Sequence, residues 1–107
     1  MSLKVPHRRP LAIRDISKHS DEIAEHSLQS ALRFLDAIEA TVELLCQFPE
    51  AGGVVPTSRL DANGLLAKLV SGFGNYILLY FVRGDVLDIA RIIRGGQEID
   101  QIALNLS

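Results

Sequence analysis

The sequence predicts an α+β fold in which a helical hairpin is packed on one face of a small antiparallel β-sheet, and three observations carry that prediction. Ser27 to Gly52 reads as one long amphipathic helix stopped by Pro49. A shorter helical pattern precedes it with only a residue or two between, so the two helices must fold back on each other to bury both apolar faces. Asn75 to Gly96 then reads as two β-runs hinged on Arg83-Gly84-Asp85, a tight hairpin connection. A helical pair with apolar stripes and a sheet with an apolar face are natural covers for each other.

Taken in order, Leu3-Lys4-Val5 has the alternation of an edge strand, kept short by Pro6, which has no amide to give to a ladder. Pro10 suits the first turn of a helix, and Ile13, Ile16, Ser20 and Ile23 continue it at helical spacing, giving a first helix at about Leu11 to Glu25. Ser27 is a fitting N-cap for the second helix, whose stripe is expected to run through Leu28, Ala31, Leu32, Leu35, Ile38, Val42 and Leu45. That helix should stop near Phe48, because the residue before a proline is pushed out of helical dihedrals. Residues 51–64, punctuated by Gly, Pro and Asn, read as a loop without regular structure. Leu65 to Val70 is a short strand. Asn75 to Val82, nearly all apolar and rich in β-formers, belongs in the middle of the sheet with both faces covered. Val86 to Ile93 forms the last strand and ends at Gly95-Gly96, a flexible exit. Ile99, Ile102, Ala103 and Leu106 have the spacing of a short C-terminal helix, so the expected order is β-α-α-β-β-β and then a helix.

A chain of 107 residues fits one domain over 1–107, with ordinary globular composition of 48% hydrophobic and 22% charged residues. The core should be aliphatic, since Trp is absent. A lone cysteine, Cys46, cannot form an internal disulfide, and the chain starts without a basic-then-apolar leader, which points to a cytoplasmic protein. Cys46 lies beside Leu45 and Phe48 and reads as a small buried apolar residue. His7, His19 and His26 lack metal-type spacing with each other or with Cys46; no metal or cofactor is expected, and His19 and His26 are assigned to a solvent-facing side.

A net charge of −2 argues against broad attachment to nucleic acid, where counterion release rewards a basic surface. The charge is uneven: residues 1–20 sum to +4 through Lys4, Arg8, Arg9, Arg14 and Lys18 against Asp15, while residues 21–50 sum to −6. A dipolar chain suits a protein partner. Arg91 and Arg94 are the candidate functional cations; three apart, they fall on opposite faces of an ideal strand, and the plainer alternative pairs one of them with Asp88 or Glu98.

Pro10, Asp15-Ile16 and Ile23-Ala24 in the first helix, Ala31-Leu32-Arg33-Phe34-Leu35 and Ile38 in the second, Leu45, Pro49 and Gly52 at its exit, and Tyr76 to Val82 with Val86 to Arg94 in the sheet together resemble the ParE branch of the RelE/ParE toxin superfamily, the plasmid stabilisation proteins. Arg94-Gly95 stands where many relatives have His-Gly, and the resemblance covers roughly residues 10–104. It implies the toxin of a type II toxin–antitoxin module that acts by binding, as a DNA gyrase inhibitor, and is neutralised by a cognate antitoxin. Arg91, Arg94, Tyr76 and Tyr80 are the partner-binding candidates, with no catalytic residue; whether the chain also forms a homodimer is left open. The RelE branch instead cuts ribosome-bound mRNA with basic side chains on the sheet and near the C-terminus. Here Ile77 stands where such a base would follow the Tyr, and Gln97 to Ser107 contains no Arg, Lys, His or Tyr. An mRNA endonuclease using Arg91, Arg94 and Tyr76 is therefore the alternative, and a non-toxic interaction module the third reading.

Overall fold

Pro10 opens α1 (Pro10–Ala24) and Ser27 opens α2 (Leu28–Gln47), the Ser27 hydroxyl accepting from the Ser30 amide at 3.1 Å as an N-cap should. The computed structural model describes residues 3–95 and 104–107. The hairpin lies on a five-stranded sheet of order β1-β5-β4-β3-β2, built from β1 (Val5–Arg8), β2 (Gly53–Val54), β3 (Leu66–Val70), β4 (Phe73–Arg83) and β5 (Val86–Arg94). No helix among the described residues is long and apolar enough to cross a membrane.

The α+β architecture is the one expected, with four corrections. First, the sheet is mixed, because β1 runs parallel to β5, pairing Val5 with Val86 and Arg8 with Ile89. β4 already has β3 and β5 on its two sides, so the only place left for an N-terminal strand beside the long strands is the outer edge of β5. Second, the segment read as an unstructured loop contributes β2, pairing Gly53 with Ala67, and a 3₁₀ turn at Leu60–Ala62. Third, most of the expected C-terminal helix lies outside the described residues, and Leu104 to Ser107 are not helical.

The fourth correction concerns which face of each helix is buried. On α2 the buried residues are Ala31, Phe34, Ile38, Thr41, Val42, Leu45 and Cys46, whereas Leu28 is 67% and Leu32 56% exposed and Leu35 also reaches solvent. Apolar residues cover more than half of this helix, so two phases of the same period fit the sequence. Docking selects the phase centred on Phe34 because its ring closes an aromatic cluster with Tyr76 at 4.9 Å and Phe73 at 5.4 Å. On α1 the buried face is Ala12, Asp15 and His19, with Ile16 and Ile23 only half-buried and Ile13 exposed.

Both faces of β4 are covered, as its continuous apolar run requires. Tyr76, Leu78 and Tyr80 join the helix-side core, while Leu79 and Phe81 join a second core behind the sheet with Ala62, Leu65, Ala90, Leu104 and Leu106. Register shifts where Leu79 faces Arg91 and Tyr80 faces Ile89, leaving Ala90 as a bulge.

Two hydroxyls tie the helices to the sheet. Thr41 Oγ1 donates to Ala37 O and accepts from the Ser71 amide at 3.1 Å, fixing α2 to the β3–β4 turn. Tyr80, fully buried, donates its hydroxyl to Pro49 O at 2.7 Å and accepts the Gly52 amide at 3.0 Å, and burial pushes its phenol above the usual range. Gly52 is obligatory at this approach, since a Cβ there would lie 2.4 Å from Tyr80 Oη and 2.9 Å from Ala67 O. Gly52→Ala is expected to lower the unfolding free energy by about 1–3 kcal/mol through overpacking. Tyr80→Phe should lower it by about 1–3 kcal/mol by orphaning the Gly52 amide and Pro49 carbonyl. Urea denaturation of both variants measures this, and unchanged midpoints would show that the exit of α2 is not held here.

Candidate functional site

β1 covers β5 only as far as Ile89, so among the described residues the outer edge of β5 from Ala90 onward has no neighbouring strand. Helix α1 crosses that gap. The Asp15 carboxylate accepts the Ile92 amide at 3.0 Å, and His19 Nε2 lies 2.9 Å from the Ile92 carbonyl. A carbonyl can only accept, so Nε2 carries the proton. Asp15 and His19 are four residues apart and hence stacked on one side of the helix. One residue's amide and carbonyl, which a strand would have paired, are thus satisfied by two helical side chains, and the ladder is closed at Ile92 to pairing with another chain.

The same carboxylate receives Arg91 as a fork, Nε at 2.6 Å and Nη2 at 2.9 Å, and Arg91 Nη1 reaches on to the Asn105 carbonyl at 2.7 Å. His19 is 8% exposed, its ring edge-on to Tyr76 at 5.0 Å and its Nδ1 buried without a partner among the described residues. The expectation of a solvent-facing His19 is therefore corrected: the bare carbonyl at the edge of β5 draws the imidazole inward.

A parallel arrangement surrounds Asp88. Arg9 grips it with Nε at 3.0 Å and Nη2 at 2.7 Å while Nη1 donates to the Leu106 carbonyl, and Arg83 Nε adds a bond at 3.1 Å. Both guanidiniums lie over the Phe81 ring, Arg83 at 4.4 Å and Arg9 at 5.2 Å. The Arg9 hydrogen bonds, with the charges of Arg9 and Arg83, hold the Asp88 carboxyl below the usual range although burial works the other way. Asp88 in turn holds Arg9 above its ordinary value.

The four residues singled out in the sequence part company here. Tyr76 and Arg94 are paired across β4 and β5, the guanidinium 5.9 Å from the ring, at the mouth of a cleft of about 470 Å³ that also presents Glu22, Glu25, His26 and Ser30. One cation, two carboxylates, an imidazole and a phenol suit the binding of a polar, charged surface. Arg91 points away from this cleft, to Asp15 and Asn105, so its carboxylate partner is Asp15 and not Asp88; the expected alternative Glu98 lies outside the described residues. Tyr80 is in the core and presents no surface to a partner. Sequence reasoning missed Asp15, His19, Arg9 and Asp88. A signal was present: Ala12, Asp15 and His19 fall at i, i+3 and i+7, a face of small and polar residues running beside the more obvious isoleucines. Cys46 is buried as expected, and burial pushes its thiol up.

Residues 8–99 match the family model described as the ParE toxin of type II toxin-antitoxin system, parDE. No curated protein matches the chain by sequence. Among solved structures, a chain described as "Chromosomal ParDE TA system from P. aeruginosa" is similar, with a TM-score of 0.70 and 19% identity over 88% of this chain and 98% of that one. At that identity the likeness is one of fold.

Two outcomes follow from the carboxylate–arginine pairs. Asp15→Ala leaves the Arg91 fork and the Ile92 amide without their acceptor and should cost about 3–5 kcal/mol by urea denaturation, with Asp15→Asn, which keeps an acceptor oxygen, costing less. A wild-type midpoint for Asp15→Ala would refute the edge-closing role. Asp88 has a depressed folded-state pKa, so its contribution is present at neutral pH and is lost as pH falls through the ordinary carboxylate value of about 4 and below, where the unfolded chain takes up a proton that the folded one resists. Stability measured from pH 7 down to pH 3 should fall less steeply in Asp88→Asn than in the wild type; equal slopes would show that Asp88 does not contribute to the acid dependence.

Proposed function

Because the chain belongs to the ParE toxin family of type II toxin–antitoxin systems, we propose that it is the toxin half of such a module, acting in the cytoplasm by binding DNA gyrase and held inactive by a cognate antitoxin. The observation that carries the binding reading is the uncovered apolar stripe on the hairpin. Leu28, Leu32 and Leu35 on α2 are exposed at spacings of four and three, and Ile13 on α1 is exposed as well, although the core is already filled through Phe34. A helix with one apolar face spent on its own core and a second turned outward is suited to receiving an apolar partner segment. The antitoxin is assigned to this stripe.

The target contact is assigned to Tyr76 and Arg94, at the mouth of the charged cleft. Arg91 and Tyr80 are reassigned as supports, since Arg91 is spent on Asp15 and Asn105 and Tyr80 on Pro49 and Gly52. Arg9 and Arg91, the two least exposed arginines of the ion pairs, have their forks filled by carboxylates. Of the residues an endonuclease would use, Arg91 is thereby withdrawn and only Arg94 and Tyr76 stay at the cleft, which favours recognition over stabilising a charged phosphorane.

Expression of the chain alone in bacteria should produce filamentation with a DNA-damage response, and the purified protein should inhibit gyrase supercoiling without cutting RNA in the presence of ribosomes. Arg94→Ala is expected to weaken that inhibition at least tenfold while the thermal midpoint stays within the scatter of surface substitutions, about 0.5 kcal/mol. Leu28→Asp with Leu32→Asp should leave toxicity intact and abolish rescue by the antitoxin. Rapid translation arrest with ribosome-dependent mRNA cleavage would sink the proposal in favour of the endonuclease, and unhindered growth would favour an inert interaction module.

A further inference from the structure

Helix α1 carries a stripe of charge on its solvent side. Arg14, Lys18, Asp21 and the C-cap residue Glu25 follow one another at i, i+4, i+7 and i+11, a spacing that keeps all four within an arc of about 60° and spreads them over about 16 Å of helix. All four are exposed, and together with Ser17 and Glu22 they line a shallow depression of about 420 Å³. Among the described residues none of these charges takes part in an ion pair. Within the chain their order is unfavourable. Asp21 and Glu22 stand in the last turn, at the negative end of the helix dipole, and no basic residue lies there to offset them. Lys18 precedes Glu22 by four residues, which is the poorer orientation of a helical pair.

The order of signs identifies a partner. Read from the N-terminus the stripe is plus, plus, minus, minus, and read backwards it is the opposite sign at every position. A two-fold axis across the middle of α1 therefore sets Arg14 against Glu25 of the second copy, Lys18 against Asp21, and the Ser17 hydroxyl, a donor, against the Glu22 carboxylate. Each contact occurs twice, and every residue lining the depression finds its complement. A patch of one sign would call for a different molecule of the other sign, whereas this one is complementary to itself. We propose that the solvent face of α1 is a homodimer interface, in which two copies pair α1 antiparallel through Arg14, Lys18, Asp21 and Glu25. Exposed ion pairs are individually weak and are screened by salt, so the dimer is reversible and is favoured by high concentration and low ionic strength. The interface draws on neither the α2 leucines nor Tyr76 and Arg94.

The test is sedimentation equilibrium of the purified full chain and of two charge-reversed variants, Arg14→Glu with Lys18→Glu and Asp21→Lys with Glu25→Lys. The wild type should show a monomer–dimer equilibrium at low salt whose association constant falls at least tenfold when the ionic strength is raised to about 0.5 M, where the screening length is a few ångströms. Each variant presents a stripe of one sign and should self-associate at least tenfold more weakly than the wild type. An equimolar mixture of the two should restore association, at least tenfold tighter than either variant alone. All four positions are exposed, and circular dichroism checks that both variants are folded; the salt dependence of the wild type carries the measurement if one of them is not. A wild type that stays monomeric at low salt overturns the proposal, as does a mixture of folded variants that does not associate. A dimer indifferent both to salt and to the reversals, but lost in Leu28→Asp with Leu32→Asp, would assign self-association to the α2 stripe and overturn it as well. Because the readout is the mass of purified protein in solution, a chain that fails to arrest growth leaves this inference standing, and a toxic chain that stays monomeric sinks it alone.

Discussion

The outer edge of β5 is the constraint on which the rest of the molecule depends. β1 is four residues long and β5 nine, so the edge strand runs out before the strand it protects. Uncovered ladder groups cost free energy when buried and invite pairing with other chains when exposed. The molecule solves this with α1, whose Asp15 and His19 occupy the donor and acceptor of Ile92. That requirement turns a polar face of α1 inward, pushes Ile13 outward, and sets where the hairpin lies over the sheet.

The arginines that answer Asp15 and Asp88 link the two sides of the sheet. Arg91 joins α1 to Asn105, and Arg9, at the junction of β1 and α1, joins Asp88 to Leu106. Each guanidinium offers more donors than one carboxylate can take, and the surplus reaches carbonyls of the segment behind the sheet. Helix placement and occupancy of the back face thus share the same two side chains. Arg94 takes no part in this and lies over Tyr76, where the sheet meets the α1–α2 turn.

Helix α2 carries more apolar surface than the sheet can cover. Phe34, Ile38, Val42 and Leu45 go into the core, and Leu28, Leu32 and Leu35 remain outside. A surplus of this kind is costly to a solitary protein and useful to one that works in a complex. It also explains why the period of the helix was legible while its phase was not: both sets of residues satisfy the same helical repeat, and only contact with the aromatic pair Phe73 and Tyr76 distinguishes them.

Local chemistry by itself determined the two helices, with their starts at Pro10 and Ser27 and the stop at Pro49, and the long hairpin of β4 and β5 around Gly84, because proline, serine and glycine act on their immediate backbone whatever surrounds them. It also determined the α+β class and the family resemblance, of which Tyr76 and Arg94 are the pair that the folded chain brings together. Tertiary structure alone decided that β1 lies parallel to β5, that Gly53–Val54 joins the sheet, that Asp15 and His19 face inward, that Arg91 is engaged by Asp15 and Asn105, and that Tyr80 is engaged by Pro49 and Gly52. Each of these depends on a group far away in sequence that needs a partner: the edge of β5, the exit of α2, the carbonyls behind the sheet. Unmet hydrogen-bonding demand becomes visible only when the chain has closed on itself, so no local pattern can announce it.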